Sequence, residues 1–273
     1  MTDARVRWAA FTSGAPLVAL TAASVGLGAV VGMLPGAGTA AAATAAVGTQ
    51  TSGPALPGAD QPTPTPTDTC LTSVPTVQAS YAAKVPAKTR QLIVVRGISK
   101  HSYDSRFERW QKVGGCWVNI SSDWSLNGAK GWHVRPWTGS LRSPIGVFSL
   151  TDTGGRLPNP GTTMRYHYGP QRYERGGYKI SYPVQLYNYV IAINYNRRIG
   201  KHPRDTRQPD PTTGSGYWIH QRGLGVTRGC VSLPKRKLRR TLQWLRKADH
   251  PFVVMGPQQL IGAGPRLSPP VDW

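Results

Sequence analysis

The stretch that decides the fold is GYWIHQRGLGVTRGCVSLPKRKLRRTLQWLRK, residues 216–247. It begins with an aromatic run typical of a strand, passes through a glycine-rich turn and ends in a helix pattern. In that pattern Leu238, Leu242 and Leu245 form one apolar stripe, with Lys and Arg on the other faces. Pro234 suits the first turn of such a helix.

His220 and Cys230 lie on either side of the glycine-rich turn, and Ser232 is a candidate helix cap. A thiol becomes a good nucleophile when it loses its proton, and a helix N-terminus or nearby cations lower its pKa. Arg222 and Arg228 supply nearby cations, and His220 can accept the proton. We therefore expect Cys230 to be a nucleophile with a lowered pKa and His220 to be its base.

Gly229 leaves room for two backbone N–H groups, its own and that of Cys230, to face a substrate oxygen as in an oxyanion hole. The helix then starts with Lys235, Arg236 and Lys237, although cations there oppose the helix dipole. We expect this cluster to attract an anionic substrate or wall polymer and to support the thiolate.

Two other interpretations of these residues remain open. Cys230 could be a small buried apolar residue with no chemistry. His202, Asp205, His220 and Cys230 could also be metal ligands, but no C-x-x-C or H-E-x-x-H spacing accompanies them. We expect no metal and no cofactor.

The rest of the chain favours a mainly β fold. Short apolar runs predict strands, and Gly114-Gly115 predicts a hairpin. The runs lie at 92–95, 107–111, 116–120, 143–150, 187–195, 217–220 and 252–255. Residues 152–186 and 196–216 show little periodicity and are expected to be long loops over a cleft.

The net charge is +21, which is typical of proteins that bind anionic partners. The basic residues are scattered and no nucleic-acid recognition motif accompanies them, so we expect no nucleic-acid partner. With 31 Gly and 24 Pro, a helical bundle is excluded. We expect a monomer.

The first 46 residues have the pattern of an export signal: early arginines, an uncharged run at 15–34 and an Ala-rich stretch. That run is long enough to remain as a membrane anchor. We expect an extracytoplasmic protein, where disulfides persist. Cys70 and Cys116 can then pair and leave Cys230 free, although the other two pairings stay open.

The domain boundaries follow from composition. Residues 47–88 form a Thr/Pro-rich linker and a surface segment, 89–256 a catalytic domain, and 257–273 a C-terminal tail.

The segment GSGYWIH…TRGCVSL resembles the signature of the L,D-transpeptidase (YkuD-type) catalytic domain, which carries a His at a strand end and a Ser/Thr-x-Gly-Cys turn. SPIGVF at 143–148, YNYVIAINYN at 187–196 and the final strand PFVVMG are similar to further elements of that family. The resemblance covers residues 89–256. It implies a β-sandwich of mixed sheets with a long loop over the cleft.

The resemblance also implies a reaction: acyl transfer on peptidoglycan stem peptides that joins two third-position residues through a thioester on Cys230. His220 would act as general base and acid, oriented by the backbone carbonyl of Gln221. The N–H groups of Gly229, Cys230 and Arg228 would hold the oxyanion. Carbapenem-type inhibitors would acylate Cys230.

Three departures from the family pattern matter. Arg228 stands where relatives carry His, the ten-residue gap from His220 to Cys230 is short, and Ser232 replaces a larger polar residue. Two alternative functions remain: an L,D-carboxypeptidase that uses water as acceptor, and a non-catalytic basic module that binds the cell wall.

Overall fold

A computed structural model describes residues 70–174, 186–205 and 207–268. The predicted export segment 1–46, with its candidate anchor at 15–34, lies outside the described residues, as do residues 47–69 of the linker. Within the described ranges, no helix has the length and apolar character that crossing a bilayer requires.

The described chain contains eleven strands and four short α-helices. The strands are β1 Gln91–Gly97, β2 Asp104–Val113, β3 Cys116–Leu126, β4 Trp132–His133, β5 Ser143–Pro144, β6 Gly146–Gly155, β7 Arg165–Tyr168, β8 Val190–Ile193, β9 Trp218–Gln221, β10 Val231–Leu233 and β11 Phe252–Pro257. The helices are α1 Ala79–Ala82, α2 Pro170–Glu174, α3 Lys235–Trp244 and α4 Gln258–Ile261.

Eight strands form one closed sheet in the order β11-β1-β2-β3-β10-β9-β8-β6, and β6 pairs back with β11. The first half of β6 pairs with β11 and its second half with β8, so this strand closes the barrel. β7 adds to β6 in parallel. The prediction of a mainly β chain with mixed pairing is confirmed, but the strands form one closed sheet where two facing sheets were expected.

The main core fills the barrel and continues under α3. The run at 92–95 is fully enclosed, which confirms the buried strand predicted there. Leu238, Leu242 and Leu245 of the α3 stripe are also buried, as their spacing predicts. The hairpin of β2 and β3 turns at Gly114 and Gly115, both at positive φ, but its strands run longer than predicted.

The structure differs from the sequence predictions at several places. The expected loop at 152–186 holds the end of β6, all of β7 and α2. The folded part extends beyond 89–256, because Val74, Val77 and Ile261 pack into the main core. Ser232 lies in β10 and does not cap α3, whose N-cap is Pro234 without a side-chain hydrogen bond.

A disulfide joins Cys70 to Cys116, the first residue of β3. It fastens the start of the described chain beside the β2–β3 turn, and the Trp117 N–H donates to the carbonyl of Leu71 at 2.8 Å. Among the described cysteines this leaves Cys230 free.

Candidate functional site

The parallel pair β9 and β10 brings His220 and Cys230 to one face of the sheet. The register pairs Ile219 with Val231 and His220 with Ser232. Ile219 and Val231 belong to the main core, so the alternating residues His220 and Ser232 face the opposite side. Cys230 lies one residue before β10 and follows the same alternation. Its Sγ accepts a hydrogen bond from the Trp218 N–H at 3.4 Å.

His220 has a defined tautomer. Its Nδ1 lies 2.7 Å from the backbone carbonyl of Gln221. A carbonyl only accepts, so Nδ1 carries the proton and Nε2 of the neutral ring is left with a lone pair. Burial lowers the pKa of His220 to about 4, and the Gln221 hydrogen bond opposes this only in part. At neutral pH the ring is therefore an uncharged base.

The Cys230 thiol differs from the sequence expectation. Burial raises its pKa to about 11, and the hydrogen bond from Trp218 offsets only part of that shift. The prediction of a lowered pKa is wrong because burial of the thiol raises its pKa more than the hydrogen bond lowers it. The residue remains partly exposed. At rest, Cys230 is thus a protonated thiol and His220 a neutral imidazole.

Thr227 and Ser143 build the turn that presents Cys230. The Thr227 hydroxyl donates to the Cys230 carbonyl at 2.5 Å and accepts from the Gly229 N–H at 3.2 Å. The buried Ser143 hydroxyl donates to the Gly229 carbonyl at 2.7 Å and accepts from the Gly128 N–H at 2.9 Å. Both peptide groups around Gly229 are therefore held by side chains.

Position 229 requires glycine on two grounds. Its φ is +133°, and a Cβ there would lie 2.7 Å from the Arg142 carbonyl oxygen and 2.7 Å from Tyr217 Cε1. Its N–H already donates to Thr227, so this predicted oxyanion donor is engaged in the structure. Arg228 is exposed on the surface of the same turn.

An aromatic wall that sequence reasoning missed surrounds the pair. Tyr187 lies edge-on to the ring of His220 at 5.4 Å and to that of Trp218 at 5.1 Å. Burial raises the pKa of Tyr187 to about 12, and Cys230 adds to the shift, so the phenol stays protonated. Tyr173 contacts Trp218 from the other side at 6.1 Å. The available sequence signal was the run YNYVIAI at residues 187–193. If this run formed a regular strand, Tyr187 and Tyr189 would lie on the same face of it.

Other sequence candidates lie elsewhere. Among the described residues no cluster of three or more metal-ligating side chains occurs. His202 packs against His167 and Tyr173, and Asp205 pairs with Arg207. In the basic cluster of α3, Lys237 pairs with Asp123 at 2.6 Å. The pKa shift of Cys230 has two causes, burial and the hydrogen bond from Trp218, and no cation of this cluster is among them.

No protein family and no curated protein matches this chain by sequence. Among solved structures, the chain is similar to the structure of Bdellovibrio bacteriovorus Bd1075, with 15% sequence identity and a TM-score of 0.36. The match covers 67% of this chain and 52% of that chain, so this chain spans about half the length of that protein. A likeness this weak leaves the function to be argued from the site.

Proposed function

We propose that this protein is a cysteine-dependent acyltransferase of the L,D-transpeptidase type, acting on peptidoglycan stem peptides outside the cytoplasm. The observation that carries the proposal is that the β9–β10 register places a free, partly exposed thiol and a neutral histidine with a free Nε2 lone pair on one face of the sheet. Nucleophilic catalysis by cysteine needs a thiol and a base of these kinds.

The pKa values define how the reaction starts. The thiol, at about 11, and the imidazole, at about 4, both rest uncharged, so proton transfer must accompany attack on the substrate. His220 Nε2 takes the thiol proton as Sγ attacks the carbonyl of the third stem residue. The tetrahedral intermediate expels the terminal D-alanine amine, which takes the proton from the imidazolium, and a thioester remains on Cys230.

The second half of the reaction reverses these roles. A side-chain amine of a neighbouring stem attacks the thioester carbon and gives a proton to His220. The C–S bond breaks, and the imidazolium returns the proton to the departing sulfur, so a new amide and a free thiol result. The disulfide between Cys70 and Cys116 supports an oxidising, extracytoplasmic location.

Intact-mass measurement tests the nucleophile. Incubation with a carbapenem is expected to add one inhibitor mass to the wild type and none to Cys230→Ala. A folded wild type that forms no adduct and turns over no tetrapeptide substrate contradicts the proposal. Cys230→Ala is the control for adducts at other side chains, because the remaining two cysteines are disulfide-bonded.

Product analysis separates the two reaction types. Cross-linked dimers from tetrapeptide-bearing muropeptides are the expected product. Tripeptide and free D-alanine without dimers would identify a carboxypeptidase in which water resolves the thioester. Wall binding that is unchanged in Cys230→Ala, without either product, would identify a non-catalytic module.

A further inference from the structure

A cavity with a volume of about 540 Å³ lies between α2 and residues 201–205 and 207. Neither His220 nor Cys230 lines it. Four cationic side chains and one carboxylate line it: Arg172, Lys201, Arg204, Arg207 and Asp205. We call this cavity the basic pocket. The proposed reaction gives no role to any of these residues.

Two cations of the basic pocket, Arg172 and Lys201, are not balanced by a described carboxylate. Asp205 is committed to Arg207, with contacts of 2.7 Å and 2.9 Å to the guanidinium and 3.1 Å to its backbone N–H. Arg172 and Lys201 are exposed, and neither forms an ion pair with a described residue. The pocket therefore carries an excess of positive charge that an anion can neutralise.

Two of the cations that line the basic pocket, Arg172 and Arg204, act on His202. His202 lines the same cavity, and its pKa is lowered to about 4, first by burial and then by the charges of His167, Arg172, Arg204 and Arg197. His202 Nδ1 accepts the Arg204 N–H at 3.1 Å, so the neutral ring carries its proton on Nε2. The lowered pKa of His202 thus indicates a positive electrostatic potential in the pocket, and the neutral ring of His202 is not a source of that potential.

One wall of the pocket is held in place by a buried carboxylate. Asp152 accepts hydrogen bonds from Arg197 at 3.0 Å and from the Gly200 N–H at 3.0 Å. Arg197 also donates to the Lys201 carbonyl at 2.6 Å. Burial alone would raise the pKa of Asp152, but the bonds from Arg197 and Thr151 hold it below its usual range. The backbone before His202 is therefore fixed before any ligand arrives, which reduces the ordering cost of binding.

We propose that the basic pocket binds a phosphate-bearing anion. Guanidinium groups match phosphate oxygens in a fork, and an ammonium group adds a point charge. A single carboxylate would leave most of the excess charge unmatched, whereas a diphosphate or a chain of phosphates brings several charges and acceptor oxygens. The site stands independently of the proposed acyl transfer.

Calorimetric titration of the full chain at about 0.15 M ionic strength, where long-range attraction is screened, tests this site. The probes are orthophosphate, pyrophosphate, polyphosphate and citrate. Pyrophosphate is expected to bind more tightly than orthophosphate or citrate. If polyphosphate binds more tightly than pyrophosphate, the ligand is a phosphate polymer. If polyphosphate and pyrophosphate bind equally, the ligand is a small free anion. Both outcomes support the site. No measurable phosphate binding, or citrate binding as tight as pyrophosphate, overturns it.

A pair of charge-matched variants locates the site. Arg172→Gln with Lys201→Gln is expected to weaken pyrophosphate binding at least tenfold. Arg266→Gln with Lys88→Gln removes the same charges from exposed positions that do not line the basic pocket, and is expected to change binding less than twofold. Equal losses in both variants would show general charge attraction and overturn the proposal. All four residues are exposed, and circular dichroism verifies that both variants fold.

A spectroscopic readout on the wild type gives a second check. Because the cations lower the pKa of His202, an anion that neutralises them must raise it, and the two effects are linked. NMR titration of the histidine ring protons with saturating pyrophosphate is expected to shift the His202 pKa upward. An unchanged His202 pKa under saturating pyrophosphate would place the anion elsewhere and contradict the proposal.

Discussion

Two buried serines beside the Cys230 turn allow the energetic role of one hydroxyl to be measured. Ser143 and Ser232 are both fully buried. The Ser143 hydroxyl satisfies the Gly229 carbonyl at 2.7 Å and the Gly128 N–H at 2.9 Å. The Ser232 hydroxyl has no hydrogen-bond partner among the described residues. The same substitution, Ser→Ala, therefore removes two good hydrogen bonds at one position and none at the other.

The expected magnitudes follow from that difference. A buried polar group left without a partner costs about 1–3 kcal/mol, and Ser143→Ala strands two such groups. We expect Ser143→Ala to lower the free energy of unfolding by about 2–6 kcal/mol. We expect Ser232→Ala to leave it unchanged within about 0.5 kcal/mol or to raise it, because the wild type buries an unpaired hydroxyl.

Equilibrium unfolding in urea, with the disulfide kept oxidised, measures both values. In a domain of this size the Ser143 variant is expected to lose at least about 4 °C in thermal midpoint. Its cysteine should also react more slowly with a carbapenem, because the turn that presents the thiol is no longer held. Equal destabilisation by the two substitutions would refute the assignment of Ser143 as the residue that holds the turn.

Three further predictions concern protons and the disulfide. The rate of Cys230 alkylation by iodoacetamide should keep rising through pH ~10, where an ordinary thiol with a pKa near ~8.5 has already levelled off, since the thiol pKa is about 11; a plateau below pH ~10 would contradict this. The pKa values of His220 and His202 are about 4 in the folded protein, so the unfolded chain binds more protons below pH ~6.5. The free energy of unfolding should therefore fall as the pH drops from ~6.5 to ~4, and His220→Gln should flatten that slope. Replacing Cys70 and Cys116 by Ala opens a loop with a sequence separation of 46 and should cost up to about 4 kcal/mol in chemical unfolding; no loss would show that the bridge does not constrain the unfolded chain.

The sequence predicted those features that depend on local pattern. The apolar run at 92–95, the glycine hairpin and the leucine stripe of α3 each carry a period or turn residue that fixes their structure. Closure of the sheet could not be predicted, because it depends on β6 pairing with two different strands along its length. No residue in 146–155 indicates that division.

The site was predictable only as a set of candidate residues. The pattern from His220 to Cys230 identified the two side chains, but the direction of the thiol pKa depends on burial, which the local sequence does not show. Ser143 and Thr227 were also missed as supports, since a hydroxyl reaching a distant peptide group leaves no spacing in the sequence.

The pairing of β1 with β11 sets the order in which this protein can fold. β1 lies near the start of the described chain, and its parallel partner begins at Phe252, near the end. During synthesis or transport, β1 and the first half of β6 each have an unpaired edge until β11 has been made and can pair with both. Contacts this distant in sequence slow folding, and open strand edges favour aggregation. A truncation before Phe252 should therefore yield an aggregating chain, even though every residue of the Cys230 turn would still be present.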